Sequence, residues 1–221
     1  MIKEDHNGTI QAFLSVSGLF YGIALGLIAV GTYETFTRAE SAISTEAATL
    51  NRMYREINMD SLDGPKAELR RVVRGYTAYV SGEGWQLQKQ GIVAKGTTPF
   101  VDELEGLLSA YPVDAPKDAI LFTQILAKNS EVGNARRERV HFVQSGLPGV
   151  VWPVLLICAG IITFLTWLLV IGSKKLDLLI NAPCAALLGT LIFLLAAMDY
   201  PFRGEFCVKP TPYELLLDVA R

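Results

Sequence analysis

Three long apolar runs divide the chain. They cover residues 10–33, 150–172 and 176–198, and the first holds no charged side chain. A helix needs about 20 apolar residues to cross a hydrocarbon core roughly 30 Å thick, and each run reaches that length. The pattern predicts an all-α integral membrane protein with three transmembrane helices.

Apolar residues keep a helical period beyond the first run. They recur at intervals of three and four, the period of an amphipathic helix, and no Gly or Pro lies between Thr32 and Asp63. The recurring positions are Ala39, Ile43, Ala47, Leu50, Tyr54 and Ile57. The first transmembrane helix is therefore predicted to continue as one helix to about residue 58.

A polar section separates the first and second apolar runs. Residues 34–146 contain several stretches of helical period, divided by Gly- and Pro-containing segments. We predict that this section is a helical extramembrane module inserted between the first and second spans. Residues 1–9 are predicted to be a short N-terminal segment, and residues 199–221 a C-terminal tail with a short helix.

The basic residues predict the orientation in the membrane. Three spans place the chain ends on opposite sides, and the module and the tail on the same side. Lys174 and Lys175, in the hairpin between the last two spans, favour the reverse of the orientation that the other basic residues favour. The positive-inside rule places the module in the cytoplasm and the N-terminus on the opposite side, because of seven residues on the module side: Arg38, Arg52, Arg136, Arg137, Arg139, Arg203 and Lys209.

Composition excludes several classes of function. Of the 221 residues, 51% are hydrophobic, and the formal net charge of −2 does not suit a nucleic-acid partner, which requires a strongly basic face. The three cysteines and two histidines have no metal-ligand spacing. No phosphate-binding loop, nucleophile elbow or HExxH motif occurs. We therefore expect no enzyme activity, no catalytic residue, no metal and no cofactor.

The first span carries a face of small residues. Gly18, Gly22 and Gly26 recur at every fourth position and therefore lie on one side of the helix. This repeats the small-xxx-small pattern by which membrane helices approach each other closely. The face either packs against another helix or leaves room for a pore, and packing is the commoner use.

Charged residues lie next to the second and third spans. Arg136, Arg137 and Arg139 could attract anions to a vestibule, or they could face lipid headgroups and set the topology. The sequence favours the second interpretation. We expect Asp199, at the end of the third span, to pair with Arg203 or to cap the tail.

Short motifs, in order along the chain, resemble a known family. They include Glu4-Asp5-His6-Asn7 before the first span and Tyr21-Gly22 within it. The further matching positions are Ala39, Glu46, Ala47, Leu50, Tyr76, Glu83, Trp85, Arg136 to Arg139, Leu147, Pro148, Trp152, Asp199, Pro201, Phe202 and Gly204. Together they resemble the bestrophin-like bacterial membrane proteins, a domain family of unknown function.

The resemblance implies an oligomeric helical protein of the bacterial inner (plasma) membrane, related to bestrophins, which are pentameric anion channels. Two features depart from the family pattern. Gly84 separates Glu83 from Trp85, where the family has adjacent Glu-Trp. Many members also have a further span before the segment that matches Glu4 to Asn7, so the chain is expected to be a three-span version of a four-span plan.

Two functional hypotheses follow. In the first, the chain is a bestrophin-like anion channel built from copies of itself. In the second, it is a non-catalytic accessory or scaffold subunit of a larger membrane complex. Both require the lipid bilayer and helix–helix association, and the sequence supports them about equally.

Overall fold

The structure, a computed structural model, describes residues 7–58, 66–110, 116–169 and 173–219. For residues 116–121 and 174 it describes the backbone and not the side chain. Within these ranges the chain is helical and contains no strand. The helices are α1 (Asn7–Ile57), α2 (Lys66–Ser81), α3 (Glu83–Lys89), α4 (Thr98–Ser109), α5 (Pro116–Val143), α6 (Val151–Trp167), α7 (Lys174–Met198) and α8 (Thr211–Val219). The predicted all-α fold class is therefore confirmed.

One uninterrupted helix, α1, carries both the first apolar run and the amphipathic stretch after it. It has 51 residues, which corresponds to about 75 Å at 1.5 Å per residue. In its apolar part, the hydroxyls of Ser15, Ser17 and Thr32 each donate a hydrogen bond to the carbonyl oxygen four residues earlier, at 2.8 to 2.9 Å. These polar side chains are therefore satisfied within the helix itself.

Two of the described helices are long and apolar enough to cross a membrane: α1, and residues Lys175–Met198 of α7. The apolar helix α6 has only 17 residues. The predicted second span, residues 150–172, extends beyond α6, and its residues 170–172 lie outside the described part of the chain, as do residues 1–6 of the predicted N-terminal segment. The three-span topology and the inserted module therefore stay predictions.

The chain divides into two compact units. We call the described part of residues 1–34 and 146–199 the membrane unit, because it holds the apolar helices. We call the described part of residues 35–145 and 200–221 the module. Each unit has its own core of buried apolar side chains.

The membrane unit is held together by one side of α1. Tyr21 and Leu25, one helical turn apart, are buried against Leu155 of α6 and Leu195 of α7. The Tyr21 hydroxyl donates a hydrogen bond to the Leu155 carbonyl oxygen at 3.3 Å. This side of α1 therefore faces the interior of the unit, and α6 also contacts α7.

The module is built around α2, which contacts α3, α4 and α8. The predicted C-terminal tail does not stand apart from it, because Phe202 and Tyr213 are fully buried in the module core. Their rings meet the Trp85 indole edge to face, with ring centres 5.4 and 6.2 Å away. Burial of three aromatic side chains explains why residues 200–219 fold as part of the module.

Candidate functional site

Another side of α1 is open in the protomer. A Cβ atom built on Gly18, Gly22 or Gly26 would meet no other atom within 4 Å. The glycines therefore do not pack against α6 or α7, which meet α1 through Tyr21 and Leu25. The glycine face, defined as these three residues, is available to something outside the protomer.

Polar and small residues extend the glycine face toward the start of α1. Gln11 and Ser15 precede Gly18 at intervals of four and three residues, so they lie on the same side of the helix. Both side chains are exposed. We call the set Gln11, Ser15, Gly18, Gly22 and Gly26 the small-polar stripe.

A third side of α1 has the composition expected at a lipid surface. Phe13, Phe20 and Ile23 are large, apolar and more than half exposed, and Leu27 is 70% exposed. Their spacing places them on a different side from the small-polar stripe. The outer surface of this helix is therefore divided between a bulky apolar side and a small, partly polar side.

The module contains a buried ion pair. Arg139 of α5 donates from Nε to Glu46 Oε2 at 2.7 Å and from Nη2 to Glu46 Oε1 at 3.2 Å. The two residues are 1% and 0% exposed. A buried charge pair is tolerated only when the geometry is good and the remaining polar atoms are also bonded, and two-point Arg–carboxylate contact provides the geometry.

Neighbouring helices complete this buried network. The Tyr76 hydroxyl of α2 donates to Glu46, and Arg139 Nη1 donates to Gln88 Oε1 of α3 at 2.8 Å. The Gln88 amide in turn donates to the Gly84 carbonyl oxygen at 3.1 Å. The network therefore ties together α1, α2, α3 and α5.

The network changes the proton affinity of its members. Burial by itself lowers the pKa of the Arg139 guanidinium, but the Glu46 carboxylate, with smaller contributions from Tyr213 and Tyr76, raises it above its usual value. Burial, and then the negative charge of Glu46, raise the pKa of Tyr76 well above 10. Arg139 therefore stays charged and Tyr76 stays neutral over the physiological range.

The structure separates the three arginines that the sequence grouped. Arg139 is closed off in its ion pair, so it presents no charge to solvent in the protomer. Arg137 is exposed and contacts Asn134, and Arg136 is partly exposed and donates from Nη2 to Thr98 Oγ1 at 3.3 Å. A role in attracting anions or setting the topology stays a prediction for Arg136 and Arg137.

The carboxylate of Asp199 contacts residues at the start of α6. Its carboxylate accepts hydrogen bonds from the Leu147 backbone N–H at 2.5 Å and from Trp152 Nε1 at 3.1 Å. The guanidinium carbon of Arg203 lies 4.4 Å from the centre of the Tyr200 ring. The turn before α6 and the first turn of α6 thus each supply one N–H donor to the carboxylate. The expectation that Asp199 pairs with Arg203 or caps the tail stays a prediction.

The family-motif positions have recognisable places in the fold. Glu46 belongs to the ion pair, Trp85 and Phe202 to the aromatic core of the module, and Trp152 and Asp199 to the contact just described. Pro148, Pro201 and Gly204 lie in turns. The carbonyl oxygen of Pro148 accepts a hydrogen bond from the Val151 N–H at 2.8 Å, and that of Pro201 accepts one from the Val208 N–H at 2.9 Å. Gly204 has a φ of +83°. These residues explain the stability of each unit rather than any chemistry.

The described residues offer no site for a metal ion, since no group of three or more His, Cys, Asp or Glu side chains converges among them. The charged network of the module is closed to solvent. What the geometry provides is a set of apolar helices with an open small-polar stripe on α1.

Comparison with known proteins places this chain in a family. The sequence matches the family described as Bestrophin-like domain over residues 1–213. A bacterial bestrophin homolog from Klebsiella pneumoniae has a TM-score of 0.73 at 13% identity, covering 95% of this chain and 87% of that one. A second variant of that homolog has a TM-score of 0.70 at 12% identity, covering 95% and 84%. The chain belongs to the bestrophin-like family and has the bestrophin fold.

Two further comparisons complete this picture. A solved structure described as a membrane protein has a TM-score of 0.72 at 14% identity and covers 95% of this chain and 87% of its own. No curated protein matches the sequence. The family resemblance predicted from the short motifs is confirmed, and with it the assignment to a family of helical membrane proteins.

Proposed function

We propose that this chain assembles with copies of itself in a bacterial inner membrane and forms an anion channel. Membership of the bestrophin-like family supports the proposal. The observation that carries it is the open glycine face: Gly18, Gly22 and Gly26 have nothing within 4 Å of a built Cβ, whereas the side of α1 around Tyr21 and Leu25 is packed.

The composition of the small-polar stripe argues against lipid as its neighbour. Lipid-facing positions of membrane helices are apolar, and α1 already has such a side in Phe20 and Leu27. Polar side chains within membrane segments usually face other helices or a water-filled cavity. Small residues let helix backbones approach closely. The stripe therefore suits contact between copies of α1, or the lumen that such copies surround.

The anion preference rests on a different part of the chain. The first apolar run has no charged residue that could attract or repel an ion. Arg136 and Arg137 are the charged members of the predicted arginine cluster that keep solvent contact. In an assembly with several copies, these positive charges would raise the local concentration of anions.

One experiment separates the channel from the accessory subunit. The chain is purified in detergent from the membranes in which it naturally occurs, and its mass is measured by light scattering with the detergent contribution subtracted. We expect a single homo-oligomer, and chloride efflux from liposomes that contain it. Fixed co-purification with unrelated subunits, together with the absence of chloride efflux, would instead establish the accessory-subunit function.

We also propose three spans, with the module in the cytoplasm and the N-terminus on the opposite side. In a chain that lacks Cys158, Cys184 and Cys207, a membrane-impermeant maleimide should label Lys175→Cys in intact cells. The matched variant Glu40→Cys, in the module, should be labelled only after permeabilisation. The opposite labelling pattern would reverse the proposed orientation.

A further inference from the structure

A basic groove lies in the module between the end of α1, the start of α2 and the end of α8. Its volume is about 490 Å³. We call it the arginine groove, and its lining residues are Tyr54, Asn58, Ala67, Arg70, Arg71, Arg74 and Val219. Three positive charges therefore face one concave surface, with an aromatic ring and two apolar side chains beside them.

The three arginines of the groove differ in the charge of the groups that they contact. Arg70 donates from Nη1 to Asn58 Oδ1 at 3.1 Å and from Nε to the Lys66 carbonyl oxygen at 3.2 Å, and both acceptors are neutral. Arg71 pairs with the carboxylate of Glu103. Arg74 is exposed. Of these contacts, only that of Arg71 is with a carboxylate.

Helix stability does not explain this arrangement. Lys66, Arg70 and Arg74 follow one another at intervals of four residues in α2, and like charges at this spacing repel each other. Cations near the start of a helix also oppose its dipole. The sequence alone would place these arginines on an ordinary solvated face. Helical spacing places the three arginines on one side of α2, and the fold adds the ends of α1 and α8 that make this surface concave.

We propose that the arginine groove binds a phosphate-bearing anion. Guanidinium groups present planar pairs of N–H donors that match two phosphate oxygens. A bound anion would also convert the repulsion between Arg70 and Arg74 into attraction to a common centre. Tyr54 and Val219 line the same groove beside the arginines. The site is independent of conduction by the membrane helices.

Inorganic pyrophosphate is the probe for a soluble ligand. It is titrated into the full chain in a neutral detergent at low salt, and binding is measured by calorimetry. We expect saturable binding that weakens as salt is added. Arg74→Ala should weaken it tenfold or more, roughly the loss of one charge-assisted hydrogen bond, and Arg74→Glu should abolish it. Lys89→Ala, which removes an exposed cation of α3, is the matched control and should leave binding unchanged.

A lipid headgroup offers the same phosphate chemistry. Phosphatidylglycerol is therefore added to the purified protein, and retained lipid is counted by native mass spectrometry in the parent and in Arg74→Ala. Retention that depends on Arg74, with no pyrophosphate binding, would identify the source as a lipid. Pyrophosphate binding that depends on Arg74 identifies a soluble anion.

Two results would overturn the proposal. The first is that neither probe binds. The second is that binding is equally strong in the parent and Arg74→Ala while the variant loses thermal stability. In that case the arginines stabilise the C-terminal end of α8, whose carbonyl groups favour nearby cations, and the groove is not a ligand site.

Discussion

Glu46 and Arg139 are separated by 93 residues in the sequence, and their charged groups meet inside the module through two hydrogen bonds of 2.7 and 3.2 Å. Both side chains are almost fully buried. The pair sets the packing of α1 against α5, and Tyr76 and Gln88 bring α2 and α3 into the same network. Each partner is therefore tolerated in the core only because the other is present.

Removal of Arg139 should destabilise the module strongly. Arg139→Met leaves the Glu46 carboxylate buried without its counter-charge, a loss of about 3–5 kcal/mol in comparable cases. For a chain of this size we expect the Tm in detergent to fall by roughly 10 °C or more, measured by the fluorescence of the buried Trp85. Arg137→Ala, an exposed neighbour, should change the Tm little. Equal effects of the two variants would contradict the structural role of the pair.

Tyr213 should make stability depend on alkaline pH. Burial, and then the Glu46 charge, raise the pKa of Tyr213 well above its usual value. Above about pH 10 an unfolded tyrosine loses its proton while the folded one keeps it, so this contribution to stability is present below pH 10 and is lost as the pH rises further.

The variant Tyr213→Phe tests this dependence. The Tyr213 hydroxyl lies close enough to Glu46 for the carboxylate to raise its pKa, but it makes no hydrogen bond of good geometry among the described residues. Its removal should therefore change the Tm at pH 7 little. The fall in Tm between pH 9 and 11 should become shallower. Tyr76→Phe is the contrast, because it removes a donor to Glu46 and should lower the Tm at pH 7. If the Tm of Tyr213→Phe fell as steeply between pH 9 and 11 as that of the parent, Tyr213 would not be the source of the pH dependence.

A large side chain on the glycine face should prevent assembly. Gly22→Leu meets no atom of its own protomer, so the protomer should fold, but closely packed copies of α1 would be forced apart. We expect a smaller mass in detergent and loss of chloride efflux. Gly189→Leu, in α7, is the matched control because that position is equally open in the protomer. Unchanged assembly of Gly22→Leu would mean that the face points to lipid or to an open lumen.

Gly91 should resist substitution by alanine. Its φ of +76° is a left-handed conformation that disfavours a side chain, and an added Cβ would lie 1.9 Å from Arg203 Nη2. Gly91→Ala should therefore cost about 1–2 kcal/mol, and the Arg203 guanidinium must move. Gly106→Ala, in the open interior of α4, should instead raise the Tm because alanine favours helix by roughly 1 kcal/mol. If both variants raised the Tm, the left-handed turn at Gly91 would be in doubt.

Local pattern was sufficient for the fold class but not for the partners of charged residues. Closeness in the chain groups Arg139 with two neighbours, Arg136 and Arg137, that keep contact with solvent. The sequence does indicate that Arg139 is buried. It lies at helical spacing with three apolar residues that are buried like it: Val132, Ala135 and Phe142. Glu46 likewise lies within the apolar period of α1. A charge on an apolar helix face indicates a buried partner, but the spacing cannot say which residue it is.

On the surface of α1, too, the sequence predicts which residues share a side, but only the fold decides which side is buried. The interval of four residues determined that Gly18, Gly22 and Gly26 share one side, because a helix repeats every 3.6 residues whatever surrounds it. Which side of α1 is packed was decided by Leu155 and Leu195, which are more than 100 residues away in the chain. Helical period depends on neighbours in sequence and can be predicted from it, whereas burial depends on distant segments and is set only when the chain folds.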